Sequence, residues 1–467
     1  MNTGETQDVT LELASRGCNT TALANSPSPD DTPPSHAVNI APRWNQSRRT
    51  IWQVTAACLC ALVMGANDAA YGAIIPYVRQ ALSAPAKPRR ATNAVPTAQL
   101  ELYYHQSYTI ISLVFLSPFV GYTIAAFGLS HAIHQHFGRR GIAVVGPACH
   151  LMTFIVLSVH PPFPVLVVMY IFVGLGSGLQ NAAWNVWIGN MANSNEVLGF
   201  FHGFFGVGAT ISPLAATSLI TKAGWEWFDF YHLMTGAAFL ELLYATAAFW
   251  PETGVKFRDE NPSSSRGGAL PQTRLSLTYK ATWICATFLF LYGGVEVGIG
   301  GWIVVFMTDV RHGGTFASGM TETGFWLGVT VGRFVLGFVS PRVGEKLSIA
   351  LYIVLAIVME LLFWLVPQFI VSAVAVSLVG FFLGTIFPCV VVVATRILPK
   401  DIHVAAIGFA AAFSMGGAAV FPFLIGAIAQ AEGVSILQPI LLAMLAVALV
   451  IWGTLMRAPT VEPAHQV

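Results

Sequence analysis

Charge is scarce in this sequence. Only 10% of its 467 residues are Asp, Glu, Lys or Arg, against 55% hydrophobic residues. A water-soluble domain carries about 25% charged residues, so an ordinary soluble globular protein is excluded, and the mean hydropathy of +0.66 agrees. The net charge of +1 offers no basic surface for a nucleic-acid partner. Cysteine is sparse too. Of the six, five lie in apolar stretches and Cys18 near the start, with no paired spacing. That excludes a disulfide framework or a zinc site and makes them small core residues. There is no nucleotide loop, nucleophile elbow or zinc spacing, so the chain is expected to be no enzyme and to need no cofactor or metal. Residues 1–50 lack the apolar core of a signal peptide and are rich in Ser, Thr, Asn and Pro. They read as a disordered cytosolic tail, on which the glycosylation sequons at Asn19 and Asn45 would stay unmodified.

What the chain has is long apolar runs. A membrane-spanning helix needs about 20 mostly apolar residues. Twelve stretches qualify: 51–77, 105–129, 141–159, 164–190, 197–221, 227–250, 281–307, 318–339, 347–366, 369–395, 403–429 and 434–456. The expected fold class is an all-α polytopic membrane protein with two six-helix bundles, 51–250 and 281–456. A cytosolic linker, 251–280, joins them, and 457–467 forms a short cytosolic tail. With both termini in the cytosol, cytosolic loops hold fifteen Lys and Arg and outer loops six, the asymmetry that the positive-inside rule favours. The expected location is the plasma membrane.

The two halves repeat one another. Gly199, Phe200, Gly208 and Pro213 recur as Gly408, Phe409, Gly417 and Pro422, displaced by 209 residues. Gly65, Asp68 and Gly72 recur as Gly293, Glu296 and Gly300, displaced by 228, and Gly138, Gly174 and Gly178 as Gly344, Gly380 and Gly384, displaced by 206. A longer polar loop at about 79–104 in the first half accounts for the shift. Duplicated halves of a hydrophobic chain suggest a transporter that rocks one half against the other around a central site.

Two loops carry a family resemblance. His131 to Arg140 and Gly337 to Lys346 are similar to the G-x-x-x-D-R-x-G-R-R signature of the major facilitator superfamily. The first keeps Gly138, Arg139 and Arg140, with Gln135 in the acidic position. The second keeps Gly337, Arg342, Gly344 and Lys346, with Pro341 there, and Gly332-Arg333 just before it also fits. Loss of both acids departs from the family's loop ion pair. The stretch from Gly174 to Asn190 and the Asn67-Asp68 pair resemble the fungal fucose-permease-like branch. The resemblance implies a major facilitator fold in which helices 1, 4, 7 and 10 line the cavity. It also implies a conformational gate, matched here by Gly138, Arg139, Arg140, Arg333 and Arg342. Helix 5, with Gly208 and Pro213, is similar to the family's antiporter motif, and helix 11 repeats it at Pro422. The alternative reading of both helices is a packing seam.

A charge at the bilayer centre costs at least about 2.5–3.5 kcal/mol, so ionisable residues in spans mark cavities or partners. Asp68 and Glu296 occupy matching repeat positions and are the candidate proton carriers; the alternative is a pair of buried structural carboxylates. The candidate substrate site is Asn67, Asp68, Tyr71, Gln180, Asn181, Trp184, Asn185, Tyr292 and Glu296, gathered by helical spacing; the helix 4 stripe could equally be helix-packing glue. Glu241, Glu360, His150 and His202 read as structural, His131, His134 and His136 as too poor a set for a metal, and Arg333 and Arg396 as snorkelling near helix ends. No Lys or Arg lies at the centre of a cavity helix, which argues against an anionic substrate.

The expected function is transport of a small organic solute by alternating access, coupled to protons, by a monomer in the lipid bilayer. Efflux of a fungal-type metabolite is slightly favoured by the helix 5 motif and by the absence of the second acid that sugar symporters of the resembling branch carry in helix 4, where Gln180 and Asn181 stand. Proton-coupled uptake of a sugar or polyol is the alternative. A non-transporting nutrient sensor is a third possibility, disfavoured because the tails of about 50 and 11 residues are too short to form an output domain.

Overall fold

The computed structural model describes residues 43–83, 108–125, 129–192, 194–260, 274–399 and 402–456. Residues 1–42 of the expected first tail, the last tail over 457–467, the polar loop over 84–107 and the glycine-serine stretch of the linker lie outside them, as does Asn19; the end of the expected first tail, residues 43–50, is described and runs into the first helix at Arg48.

Eleven helices of the described residues are long and apolar enough to cross a membrane, and a twelfth apolar helix, Tyr108–Ile124, is shorter. In chain order they are α1 (Arg48–Ser83), α2 (Tyr108–Ile124), α3 (Arg139–Ser158), α4 (Phe163–Gly189), α5 (Ser194–Lys222), α6 (Phe230–Phe249), α7 (Lys280–Asp309), α8 (Thr315–Val343), α9 (Glu345–Leu365), α10 (Phe369–Ile397), α11 (His403–Glu432) and α12 (Leu437–Met456). α1 starts and α12 ends on one face of the bundle, called the near face; the other is the far face. Residues such as Phe338, Leu365, Ile370 and Val450 are more than 70% exposed on the outside of this bundle. Lipid is their natural solvent, and the chain is a multi-pass membrane protein. Two short helices, Ser130–Phe137 and Gly254–Glu260, pack on each other at the near face. The start of the expected linker is therefore ordered against the first signature loop.

The repeated glycines are where helices cross. α1 packs on α5 and α7 on α11. A Cβ on Gly208 would overlap the Leu62 carbonyl oxygen of α1, and one on Gly417 the Phe290 carbonyl oxygen of α7. Across the same two crossings Gly65 meets Phe205 and Gly293 meets Ser414. Likewise, Gly174 of α4 abuts Pro118 of α2, and Gly380 and Gly384 of α10 abut Phe325 and Val329 of α8. Without a hydrophobic force between helices in lipid, close backbone approach at small residues supplies the packing. Gly199 and Gly408 are different: a Cβ there meets nothing within 4 Å.

The halves meet through α1 and α7, α2 and α11, and α5 and α8. Gly72 and Gly300, equivalent in the repeat, touch each other across this seam. The Tyr108 hydroxyl donates to Asp309 Oδ2 at 2.9 Å, and Lys222 Nζ lies 3.8 Å from the Phe316 ring centroid. These contacts lie toward the far face and close the bundle there.

Candidate functional site

Between the halves lies a cavity of about 200 Å³. α1 presents Met64, Asp68 and Tyr71 to it, one helical face at spacings of four and three. Asn67 lies buried behind them. Its amide donates to Asp68 Oδ1 at 3.1 Å and to the Tyr71 hydroxyl at 2.7 Å, fixing both groups. Tyr71 is held edge-on to Phe115 and Tyr170, with centroids 6.1 and 5.0 Å away. Asp68 makes no ion pair among the described residues, so when ionised it is the cavity's uncompensated charge.

α4 contributes Ser177 and Asn181. Asn181 donates to the Tyr122 hydroxyl at 3.0 Å, and Asn185, one turn on, donates to Asn181 Oδ1 at 2.5 Å. Asn185 thus orients Asn181 and is not itself a wall residue. Besides Asn67 and Asn185, which hold wall residues from behind, two expected site residues neither line the cavity nor hold its wall. Gln180 is fully buried against Gly146 of α3. Trp184 is fully buried, stacked on Phe249 with centroids 4.3 Å apart. For Gln180 the reason is geometric. Successive helix residues differ by about 100° in direction, so Asn181 and Gln180 cannot share one face.

From the second half, α7 presents Tyr292 and Glu296, and α8 presents Arg333. Arg333 Nη2 donates to Glu296 Oε1 at 3.1 Å, its Nε to the Gly384 carbonyl at 3.2 Å and its Nη1 to the His202 carbonyl at 3.4 Å. The guanidinium also lies 5.7 Å from the Phe205 ring centroid. Both members of the ion pair are under 15% exposed. This corrects the expectation that Arg333 snorkels and that no cation reaches the cavity. The expected α10 contributes Phe387, and α8 lines the cavity beside the four expected helices, as do α2, α5 and α11 through Phe119, Phe201 and Ser414. Arg333 is neutralised by Glu296, so the cavity has no free cation among the described residues.

The loop signature is completed by a residue far away in sequence. Glu252, just after α6, accepts from Arg139 at 2.9 Å, Arg49 at 2.8 Å and Lys256 at 2.7 Å. The Arg140 backbone N–H donates to the Glu252 carbonyl at 3.0 Å, and the Arg140 guanidinium lies over Trp250, 5.0 Å from the centroid. Burial alone would raise the Glu252 carboxyl. The hydrogen bond and charge of Lys256, then the charge of Arg139, outweigh it and hold the group below its ordinary value. Gly138 turns the chain here at φ 71°, against the Glu252 and Thr253 backbone. In the second half the polarity is reversed: Glu345, after Gly344, takes a two-pronged ion pair from Arg396 at 2.6 and 2.7 Å. Arg396 is therefore a partner of α9 rather than a snorkelling residue. Arg342 donates to the Phe338 carbonyl of its own helix at 3.3 Å and joins no ion pair among the described residues. Pro213 and Pro422 lie inside α5 and α11, and the Pro422 carbonyl accepts from the Trp302 indole at 2.9 Å.

Two buried acids lie in useful places, Glu241, expected to be structural, and Glu322, which sequence reasoning missed. Glu241 of α6 bonds His150 of α3, and Glu322 of α8 lies fully buried against Gly72 with neither carboxyl oxygen partnered. A search for ionisable residues within spans would have flagged Glu322. The three loop histidines gather no metal-ligand cluster, and His134 and His136 bond their own helix at Ser130 and Ala132.

Comparison with known proteins agrees with this architecture. The chain is 27% identical over 429 residues to Bypass of stop codon protein 6 of Saccharomyces cerevisiae, covering 86% of this chain and 81% of that one. It is 26% identical over 267 residues to the glucose/mannose transporter GlcP of Bacillus subtilis, covering 56% and 65%. Its fold is similar to the crystal structure of a D-xylose-proton symporter, with a TM-score of 0.66 at 14% identity over 88% of this chain and 99% of that one. The model of the Major Facilitator Superfamily matches residues 57–422. The chain belongs to the Major Facilitator Superfamily, and it is a membrane transporter rather than an enzyme.

Proposed function

We propose that the protein moves a small hydroxylated solute, of the size of a monosaccharide, together with a proton. The observation that carries this reading is the unpaired Asp68 carboxyl, fixed by Asn67 on the cavity wall across from a neutralised Glu296–Arg333 pair. Hydroxyl groups of a solute find donors and acceptors in Tyr71, Tyr122, Asn181 and Tyr292, and its ring faces find Phe115, Phe119 and Phe205. The cavity is smaller than the roughly 300–1,000 Å³ of sites for drug-sized ligands, which favours a compact solute. The sugar transporters among the similar proteins point the same way.

The coupling follows from charge. Closing the cavity around an ionised Asp68 would bury an unpaired carboxylate, which is costly. Loading a proton removes that charge and lets the halves close. The glycine-proline motif of α5 gives export no separate support. It packs on α1 as α11 packs on α7, which favours the seam reading in both halves. The near face carries Arg49, Arg139, Arg140, Lys256 and Arg396, which favours a cytosolic near face and cytosolic termini. A plasma-membrane monomer of the fucose-permease-like branch completes the reading.

The test is transport by the purified protein in proteoliposomes under a proton gradient, with labelled D-glucose and D-xylose as probes. Accumulation of either solute that collapses with a protonophore is expected. If neither solute moves, or if accumulation ignores the protonophore, the proposal fails.

A further inference from the structure

Three polar side chains in the first half form a connected line from the cavity wall into the bundle interior. Ser177 of α4 lines the cavity. His150 Nε2 lies 3.1 Å from its Oγ, and His150 Nδ1 lies 3.1 Å from Glu241 Oε2 of α6. Both His150 and Glu241 are completely buried. The imidazole is stacked on Phe154, 6.1 Å between centroids and 24° between planes.

The chemistry of the donors fixes the direction of this line. With Glu241 ionised, the carboxylate only accepts, so Nδ1 carries the hydrogen and donates to Glu241. Nε2 is then an acceptor, and the Ser177 hydroxyl donates to it. The Ser177 oxygen is left with lone pairs toward the cavity. Three helices pack around the pair. α6 supplies Glu241, α4 supplies only Ser177 and the neutral Gln180, and α1 supplies the Cys60 thiol beside Glu241 and Asp68 on the cavity side. No Lys or Arg pairs with any of them among the described residues. An ionised Glu241 with a neutral His150 is a net negative charge in a fully buried site, which is expensive inside a membrane protein. One further proton makes the pair neutral.

We propose that His150, oriented by Glu241, is a second proton-binding site of this carrier, loaded from the cavity through Ser177. This rests on the proton-coupled reading above and adds a site to it. In the loading step a cavity hydronium gives a proton to Ser177 Oγ while Ser177 passes its own hydroxyl proton to His150 Nε2. One O–H bond forms and one breaks at Ser177, an N–H bond forms on His150, and a water molecule remains in the cavity. The pair passes from glutamate and imidazole to glutamate and imidazolium. The charges at His150 and Asp68 act on each other across the same wall, so loading one site changes the other.

The first measurement is NMR of the full chain with ¹⁵N-labelled histidine in lipid nanodiscs, from about pH 5 to 8, where histidine changes charge. The signal absent from His150→Gln identifies His150. Conversion from the Nδ1–H tautomer to imidazolium as the pH is lowered is expected, with the tautomer preference lost in Glu241→Gln. A His150 that keeps one protonation state throughout overturns the site. The second measurement is transport of D-glucose and D-xylose in proteoliposomes. His150→Gln is expected to lose gradient-driven accumulation and keep solute exchange at equal pH; unchanged accumulation overturns the proposal. If His150 titrates but the unmodified protein accumulates neither solute, the coupled-transport reading falls and the proton site stands. If the unmodified protein accumulates solute and His150 does not titrate, this site alone falls.

Discussion

Replacing Glu252 with Gln tests whether this residue has taken over the role of the missing signature acids. The side chain is 6% exposed and accepts from three cations and from Gln53 Nε2 at 3.4 Å. The cations do not count equally. Arg49 and Lys256 are 49% and 42% exposed, so each pair is worth about 0.2–1 kcal/mol at most. Arg139 is only 16% exposed, and its charged hydrogen bond is worth about 1.5–3 kcal/mol. The glutamine keeps one acceptor but no charge, so the loss is about 2–4 kcal/mol, most of it at Arg139. The pH dependence has a definite sign. The folded carboxyl is held below its ordinary value of 4.5, so its contribution is complete above that pH and drains away as pH falls through the folded value. Thermal unfolding of detergent-purified protein, followed by tryptophan fluorescence, should show a variant that is less stable by a constant amount above about pH 5. The difference should shrink in stronger acid. A loss under about 0.5 kcal/mol, or one that persists unchanged in acid, would refute the reasoning.

Three further outcomes follow. Gly208→Ala and Gly417→Ala should each cost about 1–3 kcal/mol by overpacking, whereas Gly199→Ala and Gly408→Ala, with open space around the new methyl, should be neutral or stabilising by up to about 1 kcal/mol; melting temperatures of the four variants decide. Arg333→Gln or Glu296→Gln alone leaves its partner unpaired in the cavity, at a cost of about 3–5 kcal/mol, and the double variant should recover part of it; a double-mutant cycle on stability that shows no coupling contradicts the ion pair. Glu322→Met should stabilise the far-side seam by about 1–3 kcal/mol, because both carboxyl oxygens of Glu322 lack partners; a destabilised protein would show that Glu322 is satisfied in a way this arrangement does not contain.

Much of the fold was legible because its causes are local. A spanning helix is a long apolar run, and the repeated glycines are small because a helix crosses there: Gly65 with Gly293, Gly208 with Gly417, Gly174 with Gly380. The site was legible in part. Asp68, Tyr71, Asn181, Tyr292 and Glu296 line or hold the cavity, while Gln180 and Trp184 point elsewhere. In a lipid-surrounded bundle, both the outside and the inside of a helix are apolar, so the sequence shows no hydrophobic face from which its rotation can be read. Arg333 illustrates this: near a helix end it could turn outward or inward, and only its packing beside Glu296 decides. Glu252 lies 113 residues from Arg139, a separation over which no local pattern carries information.

The central claim is that Asp68 carries the proton that drives solute movement. Its most direct test is Asp68→Asn in proteoliposomes, comparing gradient-driven accumulation with exchange at equal pH for D-glucose and D-xylose. The account predicts that exchange continues while gradient-driven accumulation is lost. Accumulation with the pH dependence of the unmodified protein would contradict it.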